Sequence, residues 1–254
     1  MSGVRVSYSP FPKGKHSSIA QSVERVTVNH YVPGSSPGGG VMNIQIFKSS
    51  EYTPFAPYWS FPYGEDFLTL DLNPLKEEIL QKEQDIINST EFVTDSGTGL
   101  GKHSLTSRSP YYNLLEFDHG SELKTEIAKF HKKFLDYFSM QMDDVYVQCW
   151  ANVMRKGQKI QTHCHGTDPY TYLSGHISLD TYGTNTYYVH PYLPNPYVSE
   201  NIKNKITLFP GWLKHYTDRW EGETERVTIA FDLYTEDGWR NNIKNDMKNH
   251  WLKL

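Results

Sequence analysis

Three histidines carry the most chemistry in this sequence. In Thr162–Gly166, THCHG, His163 and His165 stand two residues apart. In an extended chain, residues i and i+2 project from one face about 6–7 Å apart, so both imidazoles can grip one metal ion. The chain has 11 histidines, and two surface histidines near a turn satisfy the same spacing. His215, in LFPGWLKHYTD just after another strand-like run, supplies a third. Three histidines drawn from two strands leave coordination positions open, as catalysis requires and a closed structural zinc site does not.

A second spacing concerns an anion. Arg226 lies 226 − 215 = 11 residues after His215 and opens RVTIAFDL. There Arg226, Thr228, Ala230 and Asp232 share one strand face, and Val227, Ile229, Phe231 and Leu233 share the other. The apolar face predicts packing against helices and turns Arg226 and Thr228 inward. A buried guanidinium is costly unless it meets an anion. A carboxylate held in bidentate fashion, with the Thr228 hydroxyl as a further donor, answers that need. The less favoured alternative is an internal salt bridge to Asp180 or Asp232. Ser174 and His176, in YLSGHISL, also share one face, either toward a pocket or as satisfied core groups.

The elements that must position these residues follow from periodicity. Val145–Met154, Tyr172–Leu179, Thr186–His190, Lys205–Phe209 and Arg226–Leu233 are short runs rich in Val, Ile, Thr, Tyr and Phe, separated by Gly, Pro, Asn and Asp turns. Before them, NIQIF after Met42 reads as a strand and YTPFAPYWSFPYG as a packed surface loop. Asn73–Pro74 reads as a cap and first turn, opening a helix to Asn88 with Leu75, Ile79, Ile86 and Ile87 on its apolar side. Thr94–Arg108 is a Gly/Ser/Thr-rich loop. Its GTGLGK lacks the strand before and the helix after that a phosphate cradle needs. His119–Met140 repeats apolar residues at Leu123, Ile127, Phe130, Phe134 and Phe138, a second amphipathic helix. Helices followed by strands predict an α+β, mainly β protein, with N-terminal helices packed on one sheet of a sandwich or barrel.

Composition sets the limits. The chain is 254 residues, with 37% hydrophobic residues and an aromatic share of 14%, which excludes wholesale disorder. With 25 Lys plus Arg against 29 Asp plus Glu, the formal charge of −4 offers no basic field for nucleic acid. Cys149 and Cys164 are too few for a disulfide framework, which favours a reducing, cytoplasmic setting. No 18-residue apolar run predicts a membrane span. Residues 18–40 show no periodicity and end in a Pro/Gly/Ser cluster. Ala20–Arg25, Val26–His30 and Pro33–Gly38 back-translate into the D-arm, an asparagine anticodon stem-loop and the T-arm of a transfer RNA. Residues 1–41 are therefore expected to be a non-native or disordered extension, with Met42 the true start and 42–254 one domain: a helical and loop part, 42–144, and a β core, 145–240. Losing 4 basic and 1 acidic residue leaves 21 against 28, a charge of −7.

The pattern of HxH, then His about fifty residues on, then Arg-x-Thr eleven further, resembles the iron(II)- and 2-oxoglutarate-dependent oxygenases. More closely, WANVMRKGQKIQTHCHGTDPYTYLSGHISL with ITLFPGWLKHYTDRWEGETERVTIAFDL is similar to a family of such oxygenases common in marine bacteria and phages. The resemblance covers Val145 to Leu233 and implies a double-stranded β-helix, or jelly roll. It further implies Fe(II) held by His163, His165 and His215, and 2-oxoglutarate held at its distal carboxylate by Arg226 and Thr228, with Asn152 as a donor near the metal. The implied reaction uses molecular oxygen, decarboxylates 2-oxoglutarate to succinate and hydroxylates a small-molecule or peptide substrate, in the host cytoplasm if the chain is phage-encoded. One departure stands out: most members of the wider oxygenase superfamily carry a carboxylate where this chain has His165. The third ligand is therefore open between His165, Asp168 and water, and a site without a carboxylate is more cationic. Two other classes compete, a three-histidine zinc hydrolase and a non-catalytic β-sandwich binding or structural module. The first leaves Arg226 and Thr228 unexplained, and the second leaves the histidine spacing as coincidence.

Overall fold

The segment 145–154 becomes one strand and Arg226–Leu233, extended to Thr235, another; they are the two longest and pair residue for residue from Arg226↔Met154 to Thr235↔Val145. They sit in a computed structural model that describes residues 42–254 except 50–52, 54, 90–92, 142–143 and 181, together with a two-residue strand, Val26–Thr27. In chain order the elements are β1 (Val26–Thr27), β2 (Asn43–Lys48), β3 (Ser60–Phe67), α1 (Asn73–Asn88), α2 (Ser121–Tyr137), β4 (Val145–Met154) and β5 (Leu173–Ser178). They continue with β6 (Asn185–Tyr188), β7 (Tyr197–Glu200), β8 (Lys205–Pro210), β9 (His215–Thr217), β10 (Arg226–Thr235), α3 (Glu236–Asn242) and β11 (Leu252–Lys253). The expectation for residues 1–41 falls outside the described residues, except that β1 pairs with Gln45 and Ile46 of β2.

All pairings are antiparallel. A large sheet has the order β1-β2-β3-β8-β5-β10-β4-β11, and a small one the order β7-β6-β9. One face of the large sheet is apolar: Val147, Cys149, Ala151 and Val153 of β4, Ile177 of β5, Ile206 and Leu208 of β8, and Val227, Ile229, Phe231 and Leu233 of β10. These form one cluster with Leu75, Ile79 and Ile87 of α1 and Leu123, Ile127, Phe130 and Phe134 of α2. The helices thus bury their 3.6-residue stripes on the strands' two-residue stripe. Gly175 makes this possible at the centre, because a Cβ there would lie 2.3 Å from the Phe231 ring. On the opposite face, Phe47, Phe61, Tyr63 and Phe209 of the large sheet meet Tyr188 of the small sheet and close one end of the space between the sheets.

Three expectations need correction. The aromatic, Pro-rich stretch is only partly a loop: its second half is β3, with Phe61 and Tyr63 fully buried. Proline is tolerated there because Pro62 pairs only with Ile46 of β2, and pairing with β8 begins at Gly64. The helices are therefore not first, since β2 and β3 precede them and join the same sheet as the later strands. Asn73 does not cap α1 through its side chain. It lies inside the first turn, Leu72 holds the cap position, and the Asn73 backbone N–H donates to Asp71 Oδ1 at 3.1 Å. Among the described residues no helix is long and apolar enough to cross a membrane.

Candidate functional site

The chain brings His163, His165 and His215 together through its backbone. His163 and His215 form an antiparallel bridge: His163 N–H donates to the His215 carbonyl at 3.1 Å, and His215 N–H to the His163 carbonyl at 2.9 Å. Two residues on, His165 N–H donates to the Gly211 carbonyl at 2.8 Å, which ties the HxH segment to the Pro210–Leu213 turn ahead of β9. One ring nitrogen of each histidine then lies within 4.8 Å of the others.

The hydrogen bonds of the rings decide which nitrogen that is. His163 Nδ1 is 2.8 Å from the Gln161 carbonyl, His215 Nδ1 is 3.0 Å from the Leu213 carbonyl, and His165 Nδ1 is 2.5 Å from Asp232 Oδ1. Carbonyls and carboxylates only accept, so each Nδ1 carries the proton. The three Nε2 lone pairs are left for a shared cation, the arrangement in which an outer partner fixes the tautomer of a ligating imidazole. Burial holds His163 down at about 4, reinforced by His165, and holds His215 well below its ordinary value, reinforced by His163 and His165. Neutral imidazoles are what metal binding demands.

These rings line a cavity of about 240 Å³ between the two sheets. The large sheet contributes Gln148, Trp150 and Asn152 of β4, His176 of β5, and Arg226, Thr228, Ala230 and Asp232 of β10. The small sheet contributes Thr186, His215 and Thr217. The inward face expected from RVTIAFDL is thus the cavity wall. Ser96 and Thr98, from the Gly-rich loop, and Thr106 and Ser109, from the 3-10 turn Thr106–Tyr111, form a hydroxyl-rich wall that no sequence motif marked. That loop turns through Gly97, Gly99 and Gly101 at φ of 79°, 83° and 83°, a left-handed conformation that glycine adopts without strain.

Arg226 is 1% exposed and has no carboxylate partner among the described residues. Its Nη1 reaches only Met154 Sδ at 3.6 Å, its Nε has no partner, and its guanidinium lies 5.3 Å from the Tyr182 ring centre. Burial lowers it to about 10, with Tyr182 and Asp218 acting in the opposite direction. The internal salt bridge is excluded for both named partners. Asp180 pairs with Lys76 and the Tyr182 hydroxyl, and Asp232 pairs with His165. Thr228 is buried beside Arg226, and across the strand its hydroxyl is 3.5 Å from Asn152 Nδ2. Asn152 Oδ1 accepts from Thr106 at 2.7 Å, so this amide is tied to a side chain and not to neighbouring backbone.

Asp168 is not at the cluster. Its carboxylate accepts from Tyr170 N–H at 2.8 Å, Thr171 Oγ1 at 3.3 Å and Asn242 Nδ2 at 3.2 Å, holding a turn. His176 is neither free nor fully satisfied. Nδ1 is 2.8 Å from Thr207 Oγ1, whereas Nε2 has no partner, and burial lowers the ring to about 3. The residue that sequence reasoning misplaced is Asp232. Its inward face was legible from alternation, but its partner is a histidine and not Arg226.

Solved structures of 2OG-Fe(II) oxygenases are similar to this chain at low identity. An oxidoreductase of the 2OG-Fe(II) oxygenase family from Burkholderia pseudomallei is 19% identical over 51% of this chain and 62% of its own length, with a TM-score of 0.41. The chain therefore matches less than two thirds of that protein. A prolyl-4-hydroxylase from Pseudomonas putida is 10% identical over 68% of this chain and 92% of its own, with a TM-score of 0.46. A Trichoplax adhaerens prolyl hydroxylase, solved with a hypoxia inducible factor peptide fragment, is 11% identical over 71% and 87%, with a TM-score of 0.43. No family model matches the sequence, and no curated protein does. The functional reading rests on the cavity itself.

Proposed function

We propose that the protein is an iron(II)- and 2-oxoglutarate-dependent oxygenase of hydroxylase type, built on a double-stranded β-helix, with His163, His165 and His215 as metal ligands. The observation that carries this is Arg226: a buried guanidinium with no carboxylate partner among the described residues, lining the same cavity as three histidines whose ligand atoms converge within 4.8 Å. A chain that leaves a buried cation unpaired forgoes several kcal/mol, on the order of 3, unless a ligand supplies the anion. A dicarboxylate suits both ends of such a cavity, its distal carboxylate accepting from Arg226 and Thr228 and its keto-acid end meeting the metal. Bound iron(II) would supply the oxygen activation that couples decarboxylation of 2-oxoglutarate to succinate with hydroxylation of a substrate C–H bond.

The protein's own residues bind, orient and exclude water. Arg226 and Thr228 fix the cosubstrate, and Asn152, held by Thr106, offers its Nδ2 toward the same space. Trp150 and Phe209 flank His165, with ring centres 5.6 Å and 6.5 Å from its own. The substrate is proposed only as a small molecule or peptide that reaches this cavity. A zinc hydrolase gives Arg226 no task, and a binding module leaves the convergence of three histidines without one.

The test is anaerobic titration of the full chain with iron(II) and 2-oxoglutarate, following the visible metal-to-ligand charge-transfer band. The band is expected in the wild type. Arg226→Ala is expected to need about 10- to 100-fold more 2-oxoglutarate, the equivalent of a buried charged hydrogen bond. Iron retained without a band would remove 2-oxoglutarate from the proposal, and no metal bound would remove the enzyme reading.

A further inference from the structure

The acidic side chain of the cavity points to how this site manages without a carboxylate ligand. Among the described residues lining the cavity, Asp232 is the single acidic one. Its one ion-pair partner among the described residues is His165, at 2.5 Å. The same oxygen, Oδ1, accepts from Ser174 Oγ at 2.6 Å, and Ser174 lies directly across the strand pair from Asp232. The carboxylate is thus pinned from β5 while it faces His165. His163 and His215 differ, since their Nδ1 atoms donate to backbone carbonyls, which carry no formal charge.

We propose that Asp232 is the positioning residue that supplies this three-histidine centre with its negative charge, acting through His165. The inference rests on the metal-site reading above. A carboxylate that accepts the Nδ1 proton fixes the ring's tautomer and raises the basicity of Nε2, so negative charge reaches a bound cation through the imidazole. Three neutral imidazoles leave a divalent ion with two net positive charges, and Asp232 lowers this to one. That is also the charge of a site with two histidines and one ligating carboxylate. The histidine that replaces the usual carboxylate and the aspartate behind it are in this sense one unit, with the charge moved outward by the width of a ring. Its placement leaves the metal with three nitrogen donors while nearly preserving its electrostatics.

Cobalt(II) serves as the probe, titrated into metal-free full-length protein without 2-oxoglutarate and read from its visible d–d bands. Asp232→Asn keeps the shape and removes the charge, and is expected to weaken cobalt binding about 10- to 100-fold and shift the bands. Ser174→Ala, which only loosens the carboxylate, is expected to give a smaller loss in the same direction. The double variant His165→Asp with Asp232→Asn returns the carboxylate to the metal and is expected to recover most of the affinity lost in Asp232→Asn. Circular dichroism of the metal-free proteins checks that each variant folds, and Ser174→Ala carries the test if Asp232→Asn does not. Wild-type affinity and spectrum in Asp232→Asn, or in Ser174→Ala where that stands in, would overturn the inference and leave the metal site standing. So would a double variant that folds but recovers nothing. A wild type that binds no cobalt would overturn the metal site as well.

Discussion

Val227, Ile229, Phe231 and Leu233 on the outward face of β10 are fully buried in one cluster with the side chains of α1 and α2. Arg226, Thr228 and Asp232, interleaved with them on the inward face, line a cavity, and the Arg226 Nε has no partner among the described residues. One strand thus serves two accounts of free energy. The outward face is satisfied by removing apolar area from water, which depends on volume and not on partner identity. On the inward face, the Arg226 guanidinium is buried with no carboxylate beside it among the described residues, and the proposed cosubstrate would supply the missing anion at a cost in ligand-free stability.

This contrast breaks most visibly where packing is densest. Phe231→Ala is expected to cost about 3–5 kcal/mol in urea unfolding, because its ring fills the space left by Gly175. Metal affinity of the molecules that remain folded should be unchanged. Next in size, and opposite in sign, Arg226→Met is expected to leave the ligand-free protein as stable or more so, by up to about 4 kcal/mol, while abolishing the response to 2-oxoglutarate. A marked destabilisation would mean that the guanidinium is held by the fold itself.

Acid sharpens the comparison further, because depressed histidines lie on both sides of the sheet. His131 of α2, bonded to the Tyr172 hydroxyl at 2.9 Å, and His163 are both held at about 4 by burial, and His176 at about 3. Their unfolded values are near 6.5, so as pH falls the unfolded chain takes up protons first. Stability is full above about 6.5 and is lost toward 4, by up to about 1.4 kcal/mol per pH unit for each histidine. Urea midpoints of the metal-free protein from pH 7.5 to 5 should show this slope. His131→Gln should flatten part of it, and bound cobalt, which holds its ligands unprotonated in the folded state alone, should keep or steepen the cavity's share. The smallest effect is Ile229→Val, expected to cost about 0.5–1.5 kcal/mol with no functional change by the cobalt titration.

The boundaries of β4 and the start of β10 were legible because Val147, Cys149, Ala151 and Val153, and Val227, Ile229, Phe231 and Leu233, recur at the two-residue period of a strand. Leu75 and Ile79 in α1, and Leu123, Ile127, Phe130 and Phe134 in α2, were legible for the same reason at helical period. β3 was hidden, since Pro62 and Gly64 read as loop until β2 and β8 supply neighbours that tolerate them. β9, three residues long, carries too little pattern to be seen without its partners β6 and His163.

The sequence by itself determined which residue types were present and on which face each would fall, because alternation and helical period are properties of neighbouring residues. It could place Arg226 and Asp232 on one wall and His163 beside His165. Which groups then meet was decided by tertiary structure alone. The pairing of Asp232 with His165, the tie of Asp168 into a turn and, among the described residues, the lack of a carboxylate at Arg226 depend on contacts between residues as much as 74 positions apart. Local pattern carries no information about such distances, and only the closing of one sheet over the other fixes them.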